Sequence, residues 1–517
     1  MSATPVGFWA HATADPSRLA IVTPSGARVS AGELLASSNR VTHGLRALGL
    51  RRGDAVAVAL PNSAEFVEVL LACQQSGWYL VPINWHLASR EIAYILENSE
   101  AKAFIAHASF ASELLPLTVG SSVPANCRFA VGSIGGFRPY EELGDGHPDS
   151  LPADRSAGSF MNYTSGTSGR PKGVRRPLVA REPGEAASRL FGQPRMCGVE
   201  EHEHNVHLTG SPLYHTAVLT FTSAALHVGH PVVLMDKWTP EAMLQAVEEH
   251  GVTYSHVVPT QLHRLLMLPD EVKAKYDHSS IRHLIHAGAP CPVDTKRRMI
   301  EWLGPVIEEY YGSTEGGGAT VRAADWLRKP GTVGQPWPFS EIAIFDEDGN
   351  RLRAPGAVGG VYFRIDGFTF EYYKDPDKTA SSRIGDFSTA GDLGYLDEDG
   401  WLFLVGRRSD LILSGGVNIY PAEIEAALLE HPAVRDAAVF GIPNDEWGEE
   451  VKAVVELADD HVGDASLATE LIAFCGQRIA RFKVPRSVDF TAALPRDPNG
   501  KLFKRALRDP YWATVAS

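Results

Sequence analysis

The sequence predicts an α/β protein: a large N-terminal domain of βαβ-layered, mainly parallel sheets with a small β-barrel, followed by a mobile α+β C-terminal domain. Three observations carry this. Apolar strands alternate with helical segments up to about residue 330, the texture then becomes short strands with Gly, Pro and Asp-Gly turns, and past residue 408 it turns helical again. The stretch "GDAVAVALPNSAEFVEVLLACQQSGWYLVPINW" reads strand, helix, strand, because Phe66, Val67, Leu70 and Leu71 recur at helical spacing. "NVHLTGSPL", "HTAVLTFTSAALHVG" and "HPVVLM" repeat that order, as do "TPEAMLQAVEEHG" and "VTYSHVVP". "GTVGQPWPFSEIAIFDEDGNRLRAPGAVGGVYFRI" reads as a barrel or meander, placed at about 330–405. In the last part, "YPAEIEAALLEHP" is a helix with Pro421 near its start. "VRDAAVFGI" and "EEVKAVVEL" are strands, and "ASLATELIAFCGQRIARF" is a helix. The boundary falls at residues 408/409.

The chain has 517 residues, more than one ordinary core accommodates. Its formal charge of -14 argues against general nucleic-acid binding but not against a small anionic ligand held by a local basic cluster. The five cysteines include no C-x-x-C pair, which fits free thiols in a reducing compartment. No signal peptide and no apolar run of the ~20 residues a membrane helix needs is visible, so a cytoplasmic protein is expected.

"NYTSGTSGRPKGV", residues 162–174, combines glycines that let backbone N–H groups approach an anion with hydroxyls and one lysine. It is not a G-x-x-x-x-G-K-[ST] loop, because Gly173 follows Lys172. The order T-S-G-T-S-G-x-P-K-G resembles the phosphate loop of the adenylate-forming superfamily, which includes acyl-CoA synthetases, peptide-synthetase adenylation domains and firefly-type luciferases. Further motifs resemble that family in the right order. They are "YYGSTEGG" (310–317), "STAGDLGYLDEDGWLFLVGRRSDLI" (388–412), "LSGGVNIYPAEIE" (413–425) and "LPRDPNGKLFKRALR" (494–508).

The resemblance implies ATP, Mg²⁺ and coenzyme A as cofactors and a carboxylic acid as substrate. Thr164, Ser165, Gly166, Thr167, Ser168, Gly169 and Lys172 would hold the phosphates. Thr314 would bind the α-phosphate and Glu315 the Mg²⁺. Asp392 and Arg407 would hold the ribose, while Glu309 and Tyr311 would border adenine. Lys501, after the "DPNG" turn, would bridge the substrate carboxylate and the α-phosphate. Asp397 and Asp399 are assigned to a hairpin turn instead. Ser409 occupies a hinge position where the family often carries Asp or Lys.

His215, in "SPLYHTA", stands where amino-acid-activating relatives carry an aspartate, which disfavours an α-amino acid substrate. With Gly288, Ala289, Tyr310, Gly312 and Gly317 it would line the acyl pocket. The run Gly316–Gly318 suggests a roomy site for a long or bulky hydrophobic acid. Gly415, Gly416, Trp447, Phe482 and Lys483 are the candidate CoA contacts. The expected activity is an acid–thiol ligase. A separate acyl carrier protein remains the alternative acceptor, and a homodimer is compatible with the sequence.

Overall fold

The computed structural model describes residues 6–118, 121–164, 171–201, 204–367, 369–458, 461–496 and 502–513. A six-stranded all-parallel sheet has the core strands Ala55–Ala59, Tyr79–Pro82 and Ala101–His107. A nine-stranded sheet is parallel through its centre, where His207–Thr209, Tyr254–Val257, His283–His286 and Ile307–Gly312 lie side by side, and antiparallel at both ends. Strands covered on both faces read as continuous apolar runs, and Ala55–Ala59 is buried at every position.

The crossover helix Ala64–Ser76 shows why the local sequence suffices. Ser63 accepts from the Phe66 N–H at its start, and Gly77 closes it in the left-handed conformation at φ 69°. Phe66, Val67, Leu70 and Leu71 are all 0% exposed, as their spacing predicts.

Two antiparallel units follow. A three-stranded ribbon pairs Asn162–Thr164 with Lys172–Arg175, and the latter with Glu371–Tyr372. Strands from Ser340 to Arg407 form the meander expected at about 330–405. Its last hairpin pairs Asp392–Leu396 with Leu402–Arg407. Asp397 and Asp399 sit in that hairpin's turn, as assigned, and both accept from Lys329 Nζ at 2.7 Å.

After the 3₁₀ turn Arg408–Asp410, the hairpin Ile412–Ser414/Val417–Ile419 leads to helix Pro421–Leu429. Long strands Val434–Asn444 and Gly448–Leu457 pair antiparallel, and Ser487–Thr491 joins the second in parallel. The helix expected over 465–482 ends at Gly476. Arg481–Lys483 form a separate 3₁₀ turn, so Phe482 and Lys483 stand on a bend and not on the helix. Among the described residues no helix is long and apolar enough to cross a membrane.

Candidate active site

The strand Ile307–Gly312 and its partner Gly318–Val321 form a hairpin whose connection carries Thr314 and Glu315. Gly316 and Gly317 adopt φ 111° and 83°, which disfavour any residue with a Cβ. Ser313 Oγ donates to the Gly316 carbonyl at 3.1 Å, closing the turn. Three remote groups then grip it. Arg176 Nη2 donates to the Thr314 carbonyl at 2.8 Å, Tyr372 Oη donates to Glu315 Oε1 at 2.7 Å, and Thr216 Oγ1 lies 3.3 Å from Thr314 Oγ1. Thr216 opens the helix after His215, so the structure brings His215 beside the turn. The loop before His215 is pinned by buried Asn62, which donates to the Ser211 and Met235 carbonyls and accepts from the Leu213 N–H.

Tyr311 and Asp392 meet although 81 residues separate them: Tyr311 Oη donates to Asp392 Oδ2 at 2.6 Å. Asp392 and Arg407 are cross-strand partners at the hairpin's open end, and Arg407 Nε donates to Asp392 Oδ1 at 2.9 Å. The Asp392 charge raises the Arg407 guanidinium above its ordinary range, and burial with Asp392 alongside pushes the Tyr311 phenol well up. Both carboxylate oxygens therefore point to fixed donors. The Tyr311 ring tilts against Phe363, with centroids 5.5 Å apart.

Glu309 has a partner that sequence reasoning missed. Buried Lys296 places Nζ 2.6 Å from Glu309 Oε2 and 4.9 Å from the Trp326 ring, and His286 Nε2 lies 3.4 Å from the same oxygen. Burial pushes the Glu309 carboxyl up and Lys296 offsets part of that. A signal existed, since Lys296 shares the inward helical face with Met299 and Ile300. Arg176 and Tyr372 had no comparable signal.

Lys172, in the ribbon, donates to Asp375 Oδ2 at 2.6 Å; the same aspartate caps helix Pro376–Ser381. Thr164 pairs with Lys172 through the backbone. Ser165, Gly166, Thr167, Ser168, Gly169 and Lys501 lie outside the described residues, as does the Thr164 side chain.

The room expected at Gly317 is not there. A Cβ on Gly317 would overlap the Phe363 ring, and one on Gly318 would overlap Trp337, so bulky rings from elsewhere fill the space those glycines vacate. Tyr310 is 5% exposed, stacked on Phe221, with its hydroxyl 3.2 Å from His256 Nε2, which makes it core. Gly288 remains open: the nearest atom to a Cβ there is Val258 Cγ1 at 3.9 Å, and neighbouring Ala289 is half-buried. At Gly312 such a Cβ would meet the Gly317 carbonyl at 3.0 Å.

Among the candidate CoA contacts, the Trp447 ring covers Gly415, whose Cβ-side is thereby closed, while Gly416 has nothing within 4 Å. Gly415 N–H donates to the Trp447 carbonyl at 2.8 Å. Phe482 is 54% exposed, and Lys483 is ion-paired to Glu423 at 2.6 Å.

The chain matches the family described as AMP-binding enzyme over residues 8–373, and the AMP-binding enzyme C-terminal domain over 423–501. It is 32% identical to the fatty acid–acyl-carrier-protein ligase ScoC of Streptomyces coeruleorubidus, covering 98% of this chain and 96% of that protein. It is also 32% identical to the long-chain-fatty-acid–CoA ligase FadD13 of Mycobacterium tuberculosis, covering 98% of each. The o-succinylbenzoate CoA synthetase of Bacillus subtilis, solved with its acyl-adenylate intermediate, superposes with a TM-score of 0.79 at 28% identity over 98% of both chains. The chain belongs to the AMP-binding enzymes and thus to the adenylate-forming superfamily.

Proposed function

We propose that this protein is an ATP-dependent carboxylate–CoA ligase that works in two half-reactions. A carboxylate oxygen attacks the α-phosphorus of ATP, the bond to the β-phosphate bridge breaks, and pyrophosphate leaves. The CoA thiolate then attacks the acyl carbon and the bond to AMP breaks. The observation that carries this reading is the pairing of a ribose grip with a phosphate turn: Asp392 held by Tyr311 and Arg407, and Thr314–Glu315 held by Arg176 and Tyr372. Side chains held in place before the substrates bind need little reorganisation during the reaction.

Asp392 binds the ribose hydroxyls in this reading, with Arg407 beside it, and Thr314 Oγ1 faces the α-phosphate. Glu315 retains the oxygen not engaged by Tyr372 in the hydrogen bond above. A hard carboxylate oxygen suits Mg²⁺, which when bound neutralises phosphate charge. Lys172 and the loop 164–169 hold the outer phosphates. Glu309, fixed by Lys296, borders adenine.

Lys501 bridges carboxylate and α-phosphate, so Lys501→Ala lowers ATP–pyrophosphate exchange by about 10²–10³-fold. Unchanged exchange would remove it from the mechanism. Residues 1–408 form the adenylation domain and 409–517 the C-terminal domain. The domains turn about Ser409 in the short 3₁₀ segment Arg408–Asp410. Gly416, Trp447, Phe482 and Lys483 then meet the thiol substrate.

The acid is hydrophobic and long or bulky, and it enters past His215 and Gly288, where a Cβ on Gly288 would meet nothing nearer than Val258 Cγ1 at 3.9 Å. A second reading has specific support in the 32% identity to an acyl-carrier-protein ligase: the acyl group passes to a carrier protein instead of CoA. One experiment separates them. Carboxylic acids are screened with ATP and Mg²⁺, following pyrophosphate and acyl-CoA separately. Acyl-CoA from a hydrophobic acid supports the ligase. Pyrophosphate with no CoA product points to the carrier, and no pyrophosphate with any acid defeats both.

A further inference from the structure

A cavity of about 600 Å³ opens at the Arg175–Glu371 end of the ribbon. It is lined by Arg52, Arg175, Arg383, Glu371, Tyr79 and Phe370 among others. Three guanidiniums face one carboxylate, a local positive excess in a chain of net charge -14. None of these arginines is loose. Arg52 donates from Nε to Ser156 Oγ at 3.1 Å and from Nη2 to the Leu178 carbonyl at 3.0 Å. The Arg175 Cζ lies 4.6 Å from the Tyr79 ring and 4.6 Å from the Tyr373 ring. Arg383 Nη2 donates to the Phe370 carbonyl at 2.5 Å, and its Cζ lies 5.4 Å from that ring. Arg52 and Arg383 are each oriented by part of their donor set and Arg175 by its two flanking rings, which among the described residues leaves Arg52 Nη1 and Arg383 Nε and Nη1 for another acceptor. Like charges oriented side by side repel, and an anion between them removes that cost.

We propose that this cavity is a second ligand site, separate from the nucleotide site, for a phosphate monoester with an aromatic or apolar body. A monoester dianion matches the two-charge excess and offers three oxygens to three forks, whereas a carboxylate offers two oxygens and one charge. Pro177 and Leu178, which also line the cavity and are less buried than the Tyr79 and Phe370 rings, supply the wall for the apolar part.

The site is wired to the phosphate turn through the ribbon itself. Arg175 and Glu371 are register partners whose side chains line the cavity. The next residue along each chain, Tyr372 and Arg176, reaches the turn and does not line the cavity. There Tyr372 holds Glu315 and Arg176 holds Thr314, while Tyr79 Oη donates to the Arg176 carbonyl at 2.8 Å. An anion drawing on Arg175 therefore acts one residue away from each grip on the turn. This coupling rests on the adenylation reading above; the site itself does not.

The test is calorimetric titration of the full chain with phenyl phosphate, with AMP and Mg²⁺ present to occupy the nucleotide site. Saturable binding is expected, weakened about tenfold in Arg52→Gln and in Arg383→Gln and restored toward wild type in Arg383→Lys. Benzoate is expected to bind about tenfold more weakly than phenyl phosphate. No binding, wild-type affinity in either glutamine variant, or benzoate matching phenyl phosphate would each overturn the assignment. Both arginines are exposed, so thermal midpoints close to wild type should show that the variants fold. For the coupling, phenyl phosphate should shift the KM for MgATP in pyrophosphate exchange at least about twofold in the wild type and not in Arg383→Gln. An identical response in the two proteins refutes it. Binding needs no catalysis, so an inactive chain that still binds phenyl phosphate would count against the ligase reading alone.

Discussion

Asp392 and Trp447 lie on either side of the Arg408–Asp410 turn, and the protein supports them in opposite ways. Asp392 is 7% exposed and both its oxygens are committed to side chains from other elements. Trp447 is 40% exposed, and its ring rests on a glycine with Arg486 5.7 Å away. The difference teaches where accuracy is built in. Asp392, the proposed ribose ligand, is cross-braced by side chains from two other strands. Trp447, proposed to meet the thiol substrate, stands at the surface of the domain proposed to turn.

The sharpest way to break that contrast is acid. His207 and His256 lie in strands of the nine-stranded sheet and His227 ends the helix Thr216–His227, and burial lowers each imidazole to about 3. Their folded pKa lies below the unfolded value, so the unfolded chain takes up protons first once the pH drops under about 6.5. Stability present at neutral pH is then lost progressively down to about 3, on the order of 2 kcal/mol per histidine at pH 5. Chemical denaturation at pH 7 and pH 5 should show it, and a flat profile would mean these rings are not held neutral. Next in size is Lys296→Met. Leaving Glu309 buried without its cation costs about 3–5 kcal/mol, read as a lower denaturant midpoint.

Asp392→Ala strips two donors of their acceptor and should slow pyrophosphate exchange about 100-fold or more with the fold intact. Tyr372→Phe removes one hydrogen bond to Glu315 and should cost roughly tenfold or less, seen chiefly as a raised Mg²⁺ requirement. Trp447→Ala should leave pyrophosphate exchange unchanged and slow acyl-CoA formation only severalfold. Equal losses in both half-reactions would place Trp447 on the adenylate side and erase the contrast.

Much of this architecture was legible because local rules dominate it. The helix at Ala64–Ser76 carries its cap, its apolar stripe and its terminating glycine within a few residues. Asp392 and Arg407 could be read together because one hairpin makes them neighbours. Tyr372 and Arg176 could not, since each reaches the turn from a strand whose pairing only the tertiary fold determines. The glycine run misled for the same reason. Absence of side chains at Gly317 and Gly318 reads as space until Phe363 and Trp337 arrive from the meander side.

That interlock also sets how the enzyme can change. Gly317 needs both a positive φ and the vacancy that Phe363 enters, so replacing it is doubly penalised. Shortening Phe363 or Trp337 instead would release volume next to the turn without touching the turn's backbone. Sequence drift around the turn therefore has a ratchet-like bias: lineages starting from this sequence can gain volume beside the turn through single substitutions at Phe363 or Trp337, while adding a side chain at Gly317 is closed to them.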